Sequence, residues 1–102
     1  MDMSNLMKQA QQFQQNLKEL QDELAHKEVT GNAGAGMVSA TFNGQCELVA
    51  LHMDAELVRP ENMQMLQDLL LAAINDGLHK AKNLAKDEMS RLTGGINLPG
   101  LM

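Results

Sequence analysis

At 102 residues the chain is long enough for one domain with a modest core and too short for two. Its net charge of -5 excludes a uniformly basic nucleic-acid binder and disfavours an anionic membrane surface as partner, so any anionic partner must meet a local basic patch. The lone Cys46 cannot form an internal disulfide, and because neither a secretory leader nor a membrane-spanning apolar run is visible, we expect a cytoplasmic protein.

The first predicted element is a helix that begins at Met3 or Ser4, with Asp2 or Ser4 as its cap, and ends near Lys27. Its apolar residues recur at alternating spacings of three and four, which is the pattern of a heptad seam. The seam consists of Met3, Leu6, Ala10, Phe13, Leu17, Leu20 and Leu24. So narrow a stripe needs a partner helix, either the second long helix of the same chain or a second copy of the protein.

Three short strands are predicted next. Residues 28–31 suit a strand, and the glycine-rich residues 32–36 suit a turn. Residues 37–42 and 46–53 suit two more strands, joined at Asn43-Gly44, a strong hairpin signal. A two-residue turn would pair Phe42 with Gln45, whereas a four-residue loop from Asn43 to Cys46 would shift the register, and both alternatives remain open. The two-residue turn would place on one face Val38, Ala40, Phe42, Val49, Leu51 and Met53.

The last predicted element is a long helix. It starts around Arg59-Pro60-Glu61, where an early proline is tolerated, and ends at Gly94-Gly95. Its roughly 30 residues span about 45 Å, much more than the width of three strands, so both helices are expected to project beyond the sheet. Its second half carries a stripe that matches the seam of the first helix. We expect residues 1–95 to form a single domain and residues 96–102 a flexible or loosely docked tail.

Basic residues are concentrated in the second half of this long helix. Residues 79–91 contain Lys80, Lys82, Lys86 and Arg91 against Asp87 and Glu88. On the first helix one face carries Lys8, Gln11, Gln15 and Lys18, flanked by Gln12 and Gln14. A solvated helix surface would explain each set. Ammonium groups and carboxamides on projecting helices are also what contacts to phosphates and base edges require.

No group of residues predicts catalysis or cofactor binding. The glycines Gly31, Gly34 and Gly36 precede a predicted strand and lack the Gly-Lys-Ser/Thr of a phosphate-binding loop. The three histidines are isolated from one another and from Cys46, so no metal site is predicted. We therefore expect a protein that is not an enzyme, with no cofactor and no small-molecule substrate.

Three stretches of the chain carry a family resemblance. They are the helix opening Asn-Leu-Met-Lys-Gln-Ala-Gln-Gln at 5–12, the glycine-rich turn and strand at 29–38, and His-Met-Asp-Ala-Glu-Leu at 52–57. In this order and spacing, and with Leu98-Pro99-Gly100 in the tail, the whole chain resembles the YbaB/EbfC family of bacterial nucleoid-associated proteins. The resemblance implies an α+β fold in two layers, with a helix, a three-stranded antiparallel sheet and a long C-terminal helix, assembled as a tweezer-like homodimer.

The resemblance also implies that projecting helices bind double-stranded DNA at the nucleoid. The positions that match by place and chemistry are Lys8, Gln12, Gln15 and Lys18 in the first helix, and Lys80, Lys82, Lys86 and Arg91 in the second. The chain departs from the family pattern at the acidic Asp2 and at Cys46, where a small turn residue is more usual. An alternative is a protein-protein adaptor that uses the Met- and Leu-rich helical arms, which the acidic net charge and the nine methionines favour.

Overall fold

The computed structural model describes residues 3–93. In chain order the elements are helix α1 (Met3–His26), strands β1 (Glu28–Ala33), β2 (Val38–Asn43) and β3 (Leu48–Met53), two short 3₁₀ turns (Ala55–Leu57 and Pro60–Asn62) and helix α2 (Met63–Leu92). The strands form one antiparallel sheet in the order β1-β2-β3. The predicted α+β fold is confirmed.

The helix ends agree with prediction to within a few residues. α1 ends one residue early, and α2 begins at Met63 because Pro60 opens a separate 3₁₀ turn before it. Ser4 lies inside α1. The other predicted cap, Asp2, the glycine pair at 94–95 and the tail 96–102 lie outside the described residues.

The first strand is longer than predicted. Asn32 and Ala33, expected in a turn, pair instead with Ser39 and Val38 of β2. The following turn is closed by a hydrogen bond from the Met37 amide to the Gly34 carbonyl. Because this turn needs only residues 34–37, the strand can extend to Ala33. Ala35 and the glycines beside it adopt positive φ angles there, which glycine tolerates best.

Both predicted registers of the second hairpin are wrong. The loop has three residues: the Asn43 amide donates to the Glu47 carbonyl over 3.0 Å, the Cys46 amide donates to the Asn43 carbonyl, and Cys46 has a φ of 65°. The buried Asn43 side chain fixes this loop by accepting hydrogen bonds from the amides of Gln45 and Glu47. Phe42 consequently lies opposite Leu48 with a bulge beside it, and β3 begins two residues later than predicted.

The same loop anchors the end of α1. The Gly44 amide donates to the carbonyls of Leu24 and Lys27 over 2.8 and 2.9 Å, so the loop satisfies carbonyl groups at the C-terminus of the helix. A Cβ at Gly44 would lie 2.6 Å from the Leu24 carbonyl oxygen, a distance that no larger residue allows. The direction in which α1 leaves the sheet is therefore set by the hairpin.

The core lies between α2 and the first two strands. Its buried side chains are Val38, Ala40, Phe42, Leu57, Ala73 and Ala81. Glycines bring the backbones of β1 and α2 together, since a Cβ on Gly31 would lie 2.1 Å from the Gly77 nitrogen. The prediction of an apolar face is therefore confirmed for β2, because the three β2 residues assigned to that face are all buried.

Strand β3 differs from β2 because α2 does not cover it. All six of its residues are exposed. The predicted face members Val49, Leu51 and Met53 keep 48, 42 and 36% of their surface accessible. The apolar side chains of β3 thus lie outside the core of the single chain.

We divide the molecule into a body and an arm. The body is the sheet, the 3₁₀ turns and α2 up to Ala81; the arm is α1 together with residues 82–92. Leu20 and Leu24 are buried where α2 runs beside α1, as the matching stripes predicted. The prediction is wrong for the other end of the seam, because residues 3–15, the arm tip, extend beyond the end of α2 and are exposed throughout.

Candidate nucleic-acid interface

An ion cluster joins α2 to the residue that follows α1. Glu88 is 7% exposed and its Oε1 accepts from Lys27 Nζ at 2.7 Å and from Arg91 Nη1 at 3.4 Å. The hydrogen bond from Lys27 holds the pKa of Glu88 below its ordinary value, although burial acts against it. Glu88, one of the two acids among the basic residues of α2, is therefore neutralised within the protein. Arg91 takes part in this cluster.

Lys80, another predicted DNA contact, is engaged in the body. Its Nζ donates to the Thr30 carbonyl at 3.0 Å and lies 3.1 Å from Asp76 Oδ2. Asp76 also accepts from the Asn32 amide, and these hydrogen bonds, that of Asn32 first, lower the pKa of its carboxyl group. The pair ties α2 to β1, one of the two edge strands of the sheet, so Lys80 has a structural role besides any contact with a partner.

The remaining predicted cations are available to solvent. They are Lys8 and Lys18 on α1 and Lys82 and Lys86 on α2. All four are exposed, and none makes an ion pair or side-chain hydrogen bond within residues 3–93. Of the predicted glutamines, Gln12 donates to Asn16 at 3.0 Å and Gln15 is exposed.

These groups are spread along the arm. The end of α2 lies beside residues 16–23 of α1. The two helices form a shallow cleft there, which is lined by Asn16, Glu19, Leu20, Glu23, Glu88, Arg91 and Leu92. Lys8 lies about 18 Å beyond Leu20 along the axis of α1. The arm therefore carries cations on two levels, near the body on α2 and near the tip on α1.

The sequence did not predict two features of the structure, one in the arm and one in the sheet. The partnership of Lys27 with Glu88 joins residues 61 positions apart, and no local spacing indicates it. The exposure of β3 did leave a signal: Leu-Val-Ala-Leu-His-Met is a nearly continuous apolar run, which is typical of a strand buried on both faces, yet this strand is at an edge.

Other kinds of site find no support in the described part of the chain. Residues 3–93 contain no group of three metal-ligating side chains and no helix that is long and apolar enough to cross a membrane. Cys46 is half-buried and unpaired in the hairpin loop. The projecting arm, with its exposed lysines, is the candidate site.

Comparison with known proteins supports this choice. A family model described as the YbaB/EbfC DNA-binding family matches residues 1–96. The chain belongs to the YbaB/EbfC DNA-binding family. The sequence resemblance is thereby confirmed, and the name of the family describes binding and not catalysis.

Relatives of this YbaB/EbfC protein carry consistent names. A nucleoid-associated protein of Desulfotalea psychrophila is 50% identical and one of Clostridium acetobutylicum is 46% identical; they match 99 and 98% of this chain and 95 and 89% of their own lengths. The crystal structure of an uncharacterized protein from Helicobacter pylori superposes with a TM-score of 0.83 at 31% identity, over 92% of this chain and 99% of that one. The YbaB-like fold is therefore shared over almost the full length.

Proposed function

We propose that this chain binds double-stranded DNA as a homodimer and contributes to nucleoid organisation or gene regulation. The observation that carries the proposal is the set of exposed, unpaired lysines on the arm of a chain that belongs to a DNA-binding family. Lysine ammonium groups neutralise phosphates without reading sequence, which fits an architectural binder of modest sequence specificity.

Strand β3 supports the dimer. It is an edge strand with one row of backbone groups facing away from β2, and its side chains include Leu48, Val49, Leu51 and Met53, all at least 36% exposed. An apolar edge of this kind favours pairing with another strand. Pairing with β3 of a second copy would extend the sheet to six strands and bury these side chains.

The dimer would also compensate for the acidic net charge. Residues 79–91 carry four basic and two acidic side chains, a net charge of +2 per chain, so the two copies of this segment bring together about four excess positive charges. If about four phosphates are neutralised, the slope of log affinity against log salt is close to -4, since each contributes about -0.9. We expect the acidic residues of the body to remain away from the duplex.

The experiment that tests the surface reverses charge at Lys82. Lys82→Glu should weaken binding to a duplex about tenfold or more, and Lys82→Glu with Lys86→Glu should abolish it, because phosphate contacts dominate affinity. The matched control is Arg59→Glu, which makes the same charge change on the 3₁₀ segment of the body. Fluorescence anisotropy at two salt concentrations is the measurement. Equal losses in Lys82→Glu and Arg59→Glu would reject the arm as the binding surface.

A separate experiment tests the dimer. Leu51→Glu should give a folded monomer by light scattering, because it places a charge at the centre of the proposed strand pairing. Met7→Glu introduces the same charge at an exposed apolar residue of the arm tip and should leave the dimer intact. A Leu51→Glu variant that remains dimeric would exclude β3 as the interface.

The adaptor is a second candidate because apolar side chains of the arm tip are exposed. Met3, Met7 and Phe13 keep 73, 60 and 45% of their surface accessible, which a protein partner could bury. Salt separates the two functions: binding through phosphates must collapse steeply as salt rises, whereas burial of an apolar surface hardly weakens.

A further inference from the structure

The seam of α1 is covered at one end and uncovered at the other. Leu20 and Leu24 are buried because α2 lies beside them, whereas Leu6 and Phe13 keep 44 and 45% of their surface accessible. The heptad spacing is the same in both halves, so the uncovered half is equally suited to packing against a helix. We call this half the tip stripe; it consists of Met3, Leu6, Ala10 and Phe13.

The surroundings of the tip stripe contain almost no charge. Residues 3–17 include one charged side chain, Lys8, and it lies on the face of α1 opposite the stripe. The positions that flank the stripe are occupied by Met7, Gln9 and Gln14, whereas residues 18–24 contain one basic and three acidic side chains. Two copies of the stripe therefore meet without repulsion between like charges. A second copy of the same helix fits this chemistry better than a charged partner does.

The position of α2 determines the direction of that second copy. Glu88 of α2 pairs with Lys27, at the C-terminal end of α1. Leu92, one turn later, shares a cleft with Asn16, so α2 runs antiparallel to α1. In a parallel pair, residues 16–24 of the second copy would occupy the place that α2 already takes. An antiparallel copy approaches from the free end of the arm, and only this direction is compatible with the fold.

The end of α2 also determines how far the two helices overlap. In antiparallel pairing of the two heptad seams, Met3 lies beside Phe13 of the second copy and Leu6 lies beside Ala10 of the second copy. The overlap of residues 3–13 is about 15 Å long. Moving the second copy one heptad closer to the body would bring its Met3 to Leu20, which α2 already covers. The overlap is therefore the longest that α2 allows.

In this arrangement the second copy continues the line of α2. Its first turn lies beside Phe13, about one helical turn beyond Asn16, where α2 ends. The C-terminus of α2 thus faces the N-terminus of the other α1, an orientation in which the two helix dipoles attract. Lys8 and Gln15 lie on the opposite face of α1, so the predicted DNA contacts of the tip stay exposed.

We propose that the arm tips of two copies pair antiparallel through the tip stripe and so join separate assemblies of this protein. Leu24, at the base of the arm, lies 16 residues from the centre of the pair at Lys8, so the two bases are about 48 Å apart. The proposed β3 dimer holds its subunits in one sheet, so the tips join different dimers. This last consequence rests on the proposed homodimer, whereas the pairing of the tips does not.

The contact is weak for a single pair of arms. Its overlap of residues 3–13 is shorter than the three or four heptads that define an independent coiled coil. A duplex that binds many copies raises their effective concentration, and each dimer contributes two arms, so pairing is strengthened where the protein is crowded on DNA. The tip stripe would in this way link neighbouring duplexes.

Disulfide trapping tests the contact in the full chain and without DNA. Close to the centre of the antiparallel pair the two Met7 side chains are neighbours, so the Cys46→Ser, Met7→Cys protein should oxidise to a covalently linked pair. The matched Cys46→Ser, Asn5→Cys protein carries its thiol on the outer face of the same helix and should link at least about tenfold more slowly. Equal rates would overturn the proposal.

A third thiol position distinguishes the two directions. In the antiparallel pair the two Met3 residues are about 15 Å apart, too far for a disulfide, whereas a parallel pair would bring them together. The Cys46→Ser, Met3→Cys protein should therefore link as slowly as the Asn5→Cys protein. Faster linking at Met3 than at Met7 would exclude the antiparallel pair.

A charge in the tip stripe tests whether the contact is apolar. Leu6→Glu, added to the Cys46→Ser, Met7→Cys protein, should slow linking at least about tenfold, because pairing would bury a carboxylate. Asn5→Glu adds the same charge on the outer face and should leave the rate unchanged. Circular dichroism checks that both variants keep their helix. If both substitutions slowed linking equally, the stripe would not be the contact.

The same trapping separates the tip contact from the proposed β3 dimer. With β3 intact, sedimentation of the linked Met7→Cys protein should show four chains or more. In the Leu51→Glu background the link should still form and should give two chains. If the link were lost in that background, the tips would meet only within one dimer, and the proposal would be wrong.

Discussion

The body and the arm contain parts of the same helix α2, but α2 contacts its neighbours differently in each. In the body its backbone lies directly on β1 at Gly31 and Gly77, and the core side chains beneath it are buried. In the arm it meets α1 through Leu20, Leu24 and the cluster at Glu88, and the arm tip extends beyond it. Close backbone packing makes the body intolerant of change, whereas the sparse contacts of the arm leave its surface free for a partner.

The largest effect is expected from adding volume to the body. Gly31→Val should abolish the folded state, because its Cβ would lie 2.1 and 2.3 Å from backbone atoms of α2, and neither atom can move without shifting the helix. The cost should exceed a stability of about 5 kcal/mol, typical of the lower range for small domains. Circular dichroism is the measurement.

Ala10→Val makes a similar addition of volume in the arm tip. Ala10 is exposed, so only the lower helix propensity of valine applies, and the free energy of unfolding should change by less than about 1 kcal/mol. A folded Gly31→Val protein with normal stability would show that the contact of the two backbones does not determine the body.

The two phenylalanines provide the next comparison, since one lies in each region. Phe42→Ala should lower the free energy of unfolding by about 3–5 kcal/mol because the side chain is 4% exposed in the core. Phe13→Ala should cost less than about 1 kcal/mol because that side chain is 45% exposed. Urea unfolding followed by circular dichroism gives both values in a chain without tryptophan or tyrosine. Equal losses would contradict the division into body and arm.

The smallest effect concerns pH and the cluster in the arm. The pKa of Glu88 is lower in the folded chain than its ordinary value of 4.5, so its ionised form stabilises the fold. This contribution is complete above pH 4.5 and is lost as the pH falls through the lowered value. Glu88→Gln should therefore make stability less dependent on pH in that range.

Asp87→Asn is the matched control for this prediction, because Asp87 is the exposed neighbour and forms no ion pair within residues 3–93. Thermal unfolding measured between pH 3 and pH 6 compares both variants. If the profile of Glu88→Gln matched that of the unaltered chain, the pair with Lys27 would not stabilise the arm.

The sequence predicted the features that depend on local pattern. The periodicity of Leu20 and Leu24, the proline at position 60 and the hairpin at Asn43 and Gly44 place the elements in order. The register of that hairpin was not predictable in the same way, because it depends on the Asn43 side chain bonding to the amides of its own loop. Two-residue and four-residue loops are equally compatible with the alternating residues alone.

The residue types of the candidate site could be predicted from the sequence. Which of their side chains are free to meet a partner could not. The sequence indicates which lysines and glutamines share a helical face. It does not show that Lys80 bonds to the Thr30 carbonyl, or that Lys27, the residue that follows α1, neutralises Glu88. Both contacts join residues at least 50 positions apart, so they depend on the tertiary structure.

The capping of α1 by the Gly44 amide has a mechanical consequence. The helix is attached to the sheet at one end, and its 24 residues act as a lever about 36 Å long whose pivot is a pair of backbone hydrogen bonds. A tilt of about 10° at the pivot displaces the far end by about 6 Å, which is roughly half the width of the major groove of DNA. Small adjustments in one hairpin loop thus become, at the far end, displacements comparable in scale to the features of a duplex.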